Sequence, residues 1–154
     1  MMHPRNAPQR GFTLLIAVIL ASVALGVGLA LLDIAYKQVV LASAARQSQT
    51  AFYAADSVME CALYYDQQMN TFGYSASSGT VTCNGTNPAT VTFNNGVTPR
   101  SRTFTIQCTG NTGVLGMVTV YKDSNAATSI YAEGYNTCDS SNQRRIERGL
   151  KATY

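Results

Sequence analysis

From Phe12 to Leu32 the chain carries 21 consecutive residues without a charge, preceded by Arg5 and Arg10 and followed at once by Asp33. About 20 residues rising about 1.5 Å each cross a roughly 30 Å hydrocarbon core as a helix. Whatever else the chain forms, it must first accommodate a membrane-competent helix near its amino terminus. The basic leader and the acid on the far side orient that helix with its amino terminus in the cytoplasm and the remainder outside.

The junction in front of the run adds a second constraint. Gly11 lies directly between the basic leader and Phe12, so cleavage there keeps the whole apolar stretch on the mature chain. An ordinary secretory signal is cut after its apolar region instead. The sequence Gly-Phe-Thr-Leu-Leu, Gly11 to Leu15, resembles the prepilin signal of type IV pilins and of the pseudopilins of type II secretion. That resemblance implies cleavage after Gly11 by a prepilin peptidase and methylation of the new amino terminus at Phe12. It is specific at the junction, and it covers Arg10 to about Asp66. Within it, Ala51 to Leu63 (AFYAADSVMECAL) is similar to the alanine- and acid-rich helix of PilX-type minor pilins.

Residues 1–11 are therefore expected to be a leader, 12–70 one long helix with 12–32 as its transmembrane or filament-core part, and 71–154 a small head. From Asp33 to Asn70 there is no proline or glycine, and Ile34, Leu41, Ala45, Phe52, Ala55, Met59 and Leu63 recur at spacings that trace one helical face. Asp33 and Lys37 stand four apart in the favourable order. Gly26 and Gly28 each cost the apolar half about 1 kcal/mol of helix relative to alanine. They serve either close helix packing or local melting. Asn70 and Gly73 supply stop residues.

Beyond Gly79 the period changes to two. Strands are expected at Thr80–Cys83, Ala89–Phe93, Arg102–Cys108, Val114–Tyr121, Ser129–Tyr135 and Arg144–Tyr154, in one antiparallel sheet whose apolar face packs on the helical stripe. The expected fold class is α+β: a long amino-terminal helix packed by its second half on a small antiparallel head, as in pilins. A head of about 84 residues has a marginal core of its own. Cys61, Cys83, Cys108 and Cys138, exported with it, read as a disulfide framework. Of the three connectivities, proximity in sequence favours Cys61 with Cys83 and Cys108 with Cys138.

Composition excludes much catalytic chemistry. The single histidine is His3, in the leader, so the processed chain would have no His-based triad, general acid or zinc ligand. No cofactor and no metal is implied. Loss of Arg5 and Arg10 leaves 9 basic groups against 8 acids, too even a balance to specify a charged partner. Asp123-Ser124-Asn125 and Asp139-Ser140-Ser141-Asn142 lack the dense acidic spacing of a calcium loop and suit turns. Asn84-Gly85-Thr86 is a glycosylation sequon in a loop. Arg144, Arg145, Arg148 and Lys151, with Arg100 and Arg102 nearby, form a weak patch for DNA or an anionic surface polymer, although strand alternation would turn Arg148 away from Arg145 and Lys151.

One position departs from the family pattern. Most members carry glutamate as the fifth mature residue, where this chain has Ile16. The resemblance implies that this glutamate offsets the charged amino terminus of a neighbouring subunit, and leaving one partner of a buried pair alone costs about 3 to 5 kcal/mol. Ile16 therefore points to a minor, tip-associated or initiating subunit. The expected partners are other pilin subunits, the prepilin peptidase, an inner-membrane assembly platform and, before assembly, the membrane itself; the head would lie outside the cytoplasm, finally on an extracellular filament. Two other classes compete. One is an anchored adhesin or DNA-binding module, for which a stripe from Leu41 through Leu63 has no use. The other is a secreted domain cut after Ser22-Val23-Ala24, which would leave Leu25 to Leu32 as an apolar terminus.

Overall fold

The computed structural model describes residues 10–83, 85, 88–108, 110, 113–125 and 127–154, with Arg10 and Gly11 described by their backbone alone. The leader before Arg10 and the sequon positions Asn84 and Thr86 lie outside the described residues. One helix, α1 (Arg10–Gln67, 58 residues), precedes β1 (Thr80–Val81), β2 (Ala89–Thr90), β3 (Thr92–Asn94), β4 (Arg100–Gln107), β5 (Val114–Lys122), β6 (Thr128–Tyr135) and β7 (Glu147–Thr153). The chain divides into two compact units, residues 1–43 and 44–154.

The first described unit is helix throughout from Arg10, because a glycine pair is too small a break in a run of Leu, Val, Ile and Ala to interrupt it. Helical backbone begins at Arg10, so the junction at Gly11 is itself helical.

The second unit is an α+β head in which the remainder of α1 packs on an antiparallel sheet of order β3-β4-β5-β6-β7. Neighbours in sequence are neighbours in the sheet, so every connection is a simple reversal. Alternation is clean in β4, β5 and β6. Phe104, Ile106, Val118, Val120, Ile130 and Ala132 face the helix and are buried, while Thr103, Thr105, Met117, Thr119 and Tyr131 face the other way. Phe72, just after the helix, stacks on Phe104 with centroids 5.6 Å apart and joins the same core.

Several expectations need correction. The helix ends at Gln67 rather than Asn70: Asn70 takes a left-handed φ of 49°, and the Thr71 amide donates to the Tyr65 carbonyl at 2.9 Å, closing the last turn. Among the described residues there are two sheets, because β1 and β2 pair separately. The run Ala89–Phe93 splits at buried Val91, whose amide donates to Gly79 and leaves Ala89–Thr90 in one sheet and Thr92–Asn94 in the other. The last strand starts at Glu147, not Arg144. The Asn136 side chain takes the Ile146 amide at 2.7 Å and donates to the Arg144 carbonyl at 3.1 Å, holding that stretch as a loop.

The helical stripe differs in part. Ile34, Leu41, Ala45 and Phe52 are exposed, whereas Ala55 and Met59 are buried and Leu63 packs at the edge of the core; the face that meets the sheet is Ala51, Ala54, Ala55, Val58, Met59 and Ala62. The cause lies opposite. Gly116 and Gly134 are direct cross-strand partners on β5 and β6. A Cβ on Gly134 would stand 2.1 Å from the Ala55 amide nitrogen, and one on Gly116 would stand 3.0 Å from a Val58 methyl. At Gly134 helix backbone thus rests almost directly on strand backbone, and at Gly116 the missing side chain makes room for Val58.

Disulfides join Cys61 to Cys83, tying α1 to the segment after β1, and Cys108 to Cys138, tying the end of β4 to the loop after β6. No described cysteine is free.

Candidate functional site

Four surfaces could carry function, and they differ in what covers them. The first is the amino-terminal part of α1. Every large apolar side chain from Phe12 to Leu41 is between 40 and 71 % exposed, with Ile16 at the lower bound. The helix is long and apolar enough to cross a membrane. Its one serine there, Ser22, turns its hydroxyl back to the Ile19 carbonyl at 2.8 Å, so the polar atom is satisfied without water. A Cβ on Gly26 or Gly28 would meet nothing within 4 Å, so neither glycine is explained by packing inside this chain. Asp33 and Lys37 form an exposed ion pair at 2.7 Å across the first turn after the run.

The second is a polar cluster at one end of the head core. Lys122 Nζ donates to Asp66 Oδ2 at 2.6 Å and to Thr128 Oγ1 at 2.7 Å, and the Tyr154 hydroxyl donates to the same carboxylate oxygen at 2.5 Å. Burial of its hydroxyl and the bond to Asp66 push the Tyr154 phenol well above its usual range. Beside this cluster Arg102 is wholly buried, donating through Nη2 to the carbonyls of Gly73 at 3.0 Å and Tyr74 at 2.8 Å. Burial, with Arg100 nearby, lowers its guanidinium from the ordinary value. These groups lock helix end, loop and strands together. Their hydrogen bonds run to other protein groups, while Asp66 Oδ1 and Arg102 Nε and Nη1 are buried without a partner among the described residues.

The third is the basic cluster expected to form a patch, and the sheet takes it apart. Arg148 lies on the helix side and donates to Ser48 at 2.8 Å. Lys151 lies on the opposite face, 5.0 Å from the centre of the Tyr131 ring, and Arg145 sits 3.7 Å over Tyr135. Arg144 is exposed in the preceding loop. Arg100 and Arg102, on β4, are three strands away from β7 and are engaged with Tyr74. No single anionic-ligand patch results from these residues.

The fourth is the face of the sheet turned away from the helix. Tyr121 and Tyr131 meet edge to face, centroids 5.6 Å apart, and Pro99, Thr119, Tyr121, Ser129, Tyr131 and Glu133 line an open groove of about 450 Å³. Sequence reasoning missed this surface. Alternation alone predicted which residues leave the core, and only the strand order could show that these tyrosines are diagonal neighbours.

The acidic loops are turns. Asp139 Oδ1 accepts from both the amide and the hydroxyl of Ser141, which holds its carboxyl below the usual range. Asp123 Oδ1 accepts from the Ser124 amide. Among the described residues no three His, Cys, Asp or Glu side chains cluster as metal ligands would.

Fold and surfaces together define an α+β protein with a membrane-competent amino-terminal helix and a disulfide-linked antiparallel head. Comparison with protein-family models, with curated proteins and with solved structures finds no match.

Proposed function

We propose that this chain is a structural subunit, minor or tip-associated, of a type IV pilus or related pseudopilus, processed after Gly11 and assembled through its amino-terminal helix. The observation that carries the proposal is the exposure of every large apolar side chain directly behind Gly11, with none of them packed on the rest of the chain. A surface of that size needs an apolar neighbour. Lipid supplies it before assembly, and the helices of other pilin subunits supply it afterwards, with a prepilin peptidase and an inner-membrane assembly platform acting in between. Ile16 at the fifth mature position favours a subunit that has no further neighbour to neutralise, hence a place at the tip. The work is assembly and not catalysis.

The test is incorporation. An arginine at the centre of a membrane helix costs about 2.5 to 3.5 kcal/mol on insertion scales. Val18→Arg is expected to remove the protein from sheared filament fractions while the head, purified from the membrane, keeps its disulfides. Normal amounts of Val18→Arg in filaments would contradict the proposal.

A further inference from the structure

The face of the sheet opposite the helix is unlike an ordinary solvated face. Here Tyr121 and Tyr131 stand among Ser101, Thr103, Thr105, Thr119 and Ser129, with the charges, Glu133, Glu147, Arg145 and Lys151, gathered towards β7 and around Tyr135. The 450 Å³ groove between Pro99 and Glu133 is joined by a second of about 320 Å³, which shares Pro99, Tyr121 and Ser129 and runs on to Asp123 and Ala127. Together they make an elongated, open trough across β5 and β6.

Its chemistry narrows what would occupy it. The rings offer flat apolar surface with a polar edge. Thr119 Oγ1 is shared with Thr103 at 3.3 Å and Ser129 Oγ with Thr153 at 3.3 Å, and each hydroxyl, having one donor and two acceptor positions, keeps capacity for a ligand. Glu133 adds an acceptor and Lys151, beside Tyr131, adds a donor. Acids at both ends of the trough, Glu133 and Asp123, disfavour a polyanion such as DNA. The openness and the hydroxyl lining disfavour a purely apolar ligand, which seeks an enclosed pocket. A ligand that suits the trough is extended and uncharged. It has apolar C–H faces for the rings and hydroxyl groups on its edges for Thr119, Ser129 and Glu133.

We propose that this trough binds a neutral linear oligosaccharide, its pyranose faces laid on Tyr121 and Tyr131 and its hydroxyls bonded to Glu133, Ser129 and Thr119. The site belongs to the head and does not rest on the assembly role proposed above.

The experiment is calorimetric titration of the full chain, in a detergent without a sugar headgroup, with cellohexaose, maltohexaose and chitohexaose, alongside a double-stranded DNA oligonucleotide. Saturable binding of at least one hexasaccharide is expected, weakened about tenfold or more by Tyr131→Ala and several-fold by Glu133→Gln, and unchanged by Tyr53→Ala on the exposed face of α1. Tyr131 lies outside the core, so its variant should melt like the parent; if it does not, the isosteric Glu133→Gln carries the same test. Absence of binding to all three sugars, equal binding by Tyr131→Ala and Glu133→Gln, or preference for the DNA would overturn the proposal.

Discussion

The two stretches of α1 are both apolar, yet their side chains are opposite in kind. Between Phe12 and Leu41 the helix carries Leu, Ile, Val and Phe, and all of them are exposed. Between Ala51 and Ala62 it buries mainly alanines. Large side chains suit a soft, shapeless neighbour such as lipid, which asks only for apolar area, roughly 25 cal/mol per Å². Small ones suit a fixed surface, where close approach of two backbones replaces area with contact density. The contrast teaches that the more hydrophobic half of a helix need not be the half that holds its own domain together. In this chain the greater hydrophobicity is directed outward.

That contrast breaks most visibly at Gly134. A side chain there must displace the Ala55 nitrogen at 2.1 Å and the Ala51 carbonyl at 2.5 Å, neither of which can rotate away. Overpacking commonly costs about 1 to 3 kcal/mol, and Gly134→Val is expected at or above the top of that range. Gly149→Ala is the control, since its Cβ meets only the Ala132 carbonyl at 3.9 Å; it should change stability by less than about 0.5 kcal/mol. Denaturant titration of the full chain in detergent, followed by near-ultraviolet circular dichroism of the tyrosines, reads both. Equal stabilities would mean that helix and sheet do not meet at Gly134.

Removing the Cys61–Cys83 cross-link by a double Cys→Ala change should have the next largest effect, a loss of about 2 to 4 kcal/mol in the same titration. The loss should appear in the head alone, leaving detergent-protected helicity of the amino-terminal stretch intact by hydrogen exchange. Exchange that rises equally from Phe12 to Gln67 would show that the two stretches do not behave separately.

The smallest effect is on pH dependence. Tyr154 has its phenol raised by burial and by Asp66, so folding keeps a proton that the unfolded chain releases above about pH 10. Its contribution is complete below that pH and is lost as pH rises towards the folded value. Tyr135 is raised as well, by burial and by Glu147 and Glu133, so some alkaline slope remains without Tyr154. Tyr154→Phe should flatten the fall in stability between about pH 10 and 11 without abolishing it. An unchanged slope would remove the phenol–carboxylate bond from the account.

Periodicity made the fold class, the long helix and the three central strands legible in the sequence. At the helix face it was right at Ala55 and Met59 and wrong at Leu41 and Phe52, because the face is set by Gly134, which admits the helix backbone at Ala51 to Ala55, and by Gly116, which makes room for Val58. That register cannot be seen until β5 and β6 are paired. It failed at Arg144 because one side chain, Asn136, holds the loop from across a gap in sequence. Arg102, placed near a surface basic patch by its sequence, is buried for a similar reason, as is Asp66. Their burial depends on Lys122, Tyr154 and the Gly73 and Tyr74 carbonyls, brought in from three separate segments. The exposed helix was the most legible feature of all, since a charge-free run needs no partner in the chain to be recognised.

What holds that run is the central claim, and the mature amino terminus tests it most directly. Intact-mass and amino-terminal mass spectrometry of protein taken from the membrane should find a chain that starts at a methylated Phe12 and retains every residue to Leu32 and beyond. A chain that starts at Leu25, with the apolar run cut through by ordinary signal peptidase, would contradict it.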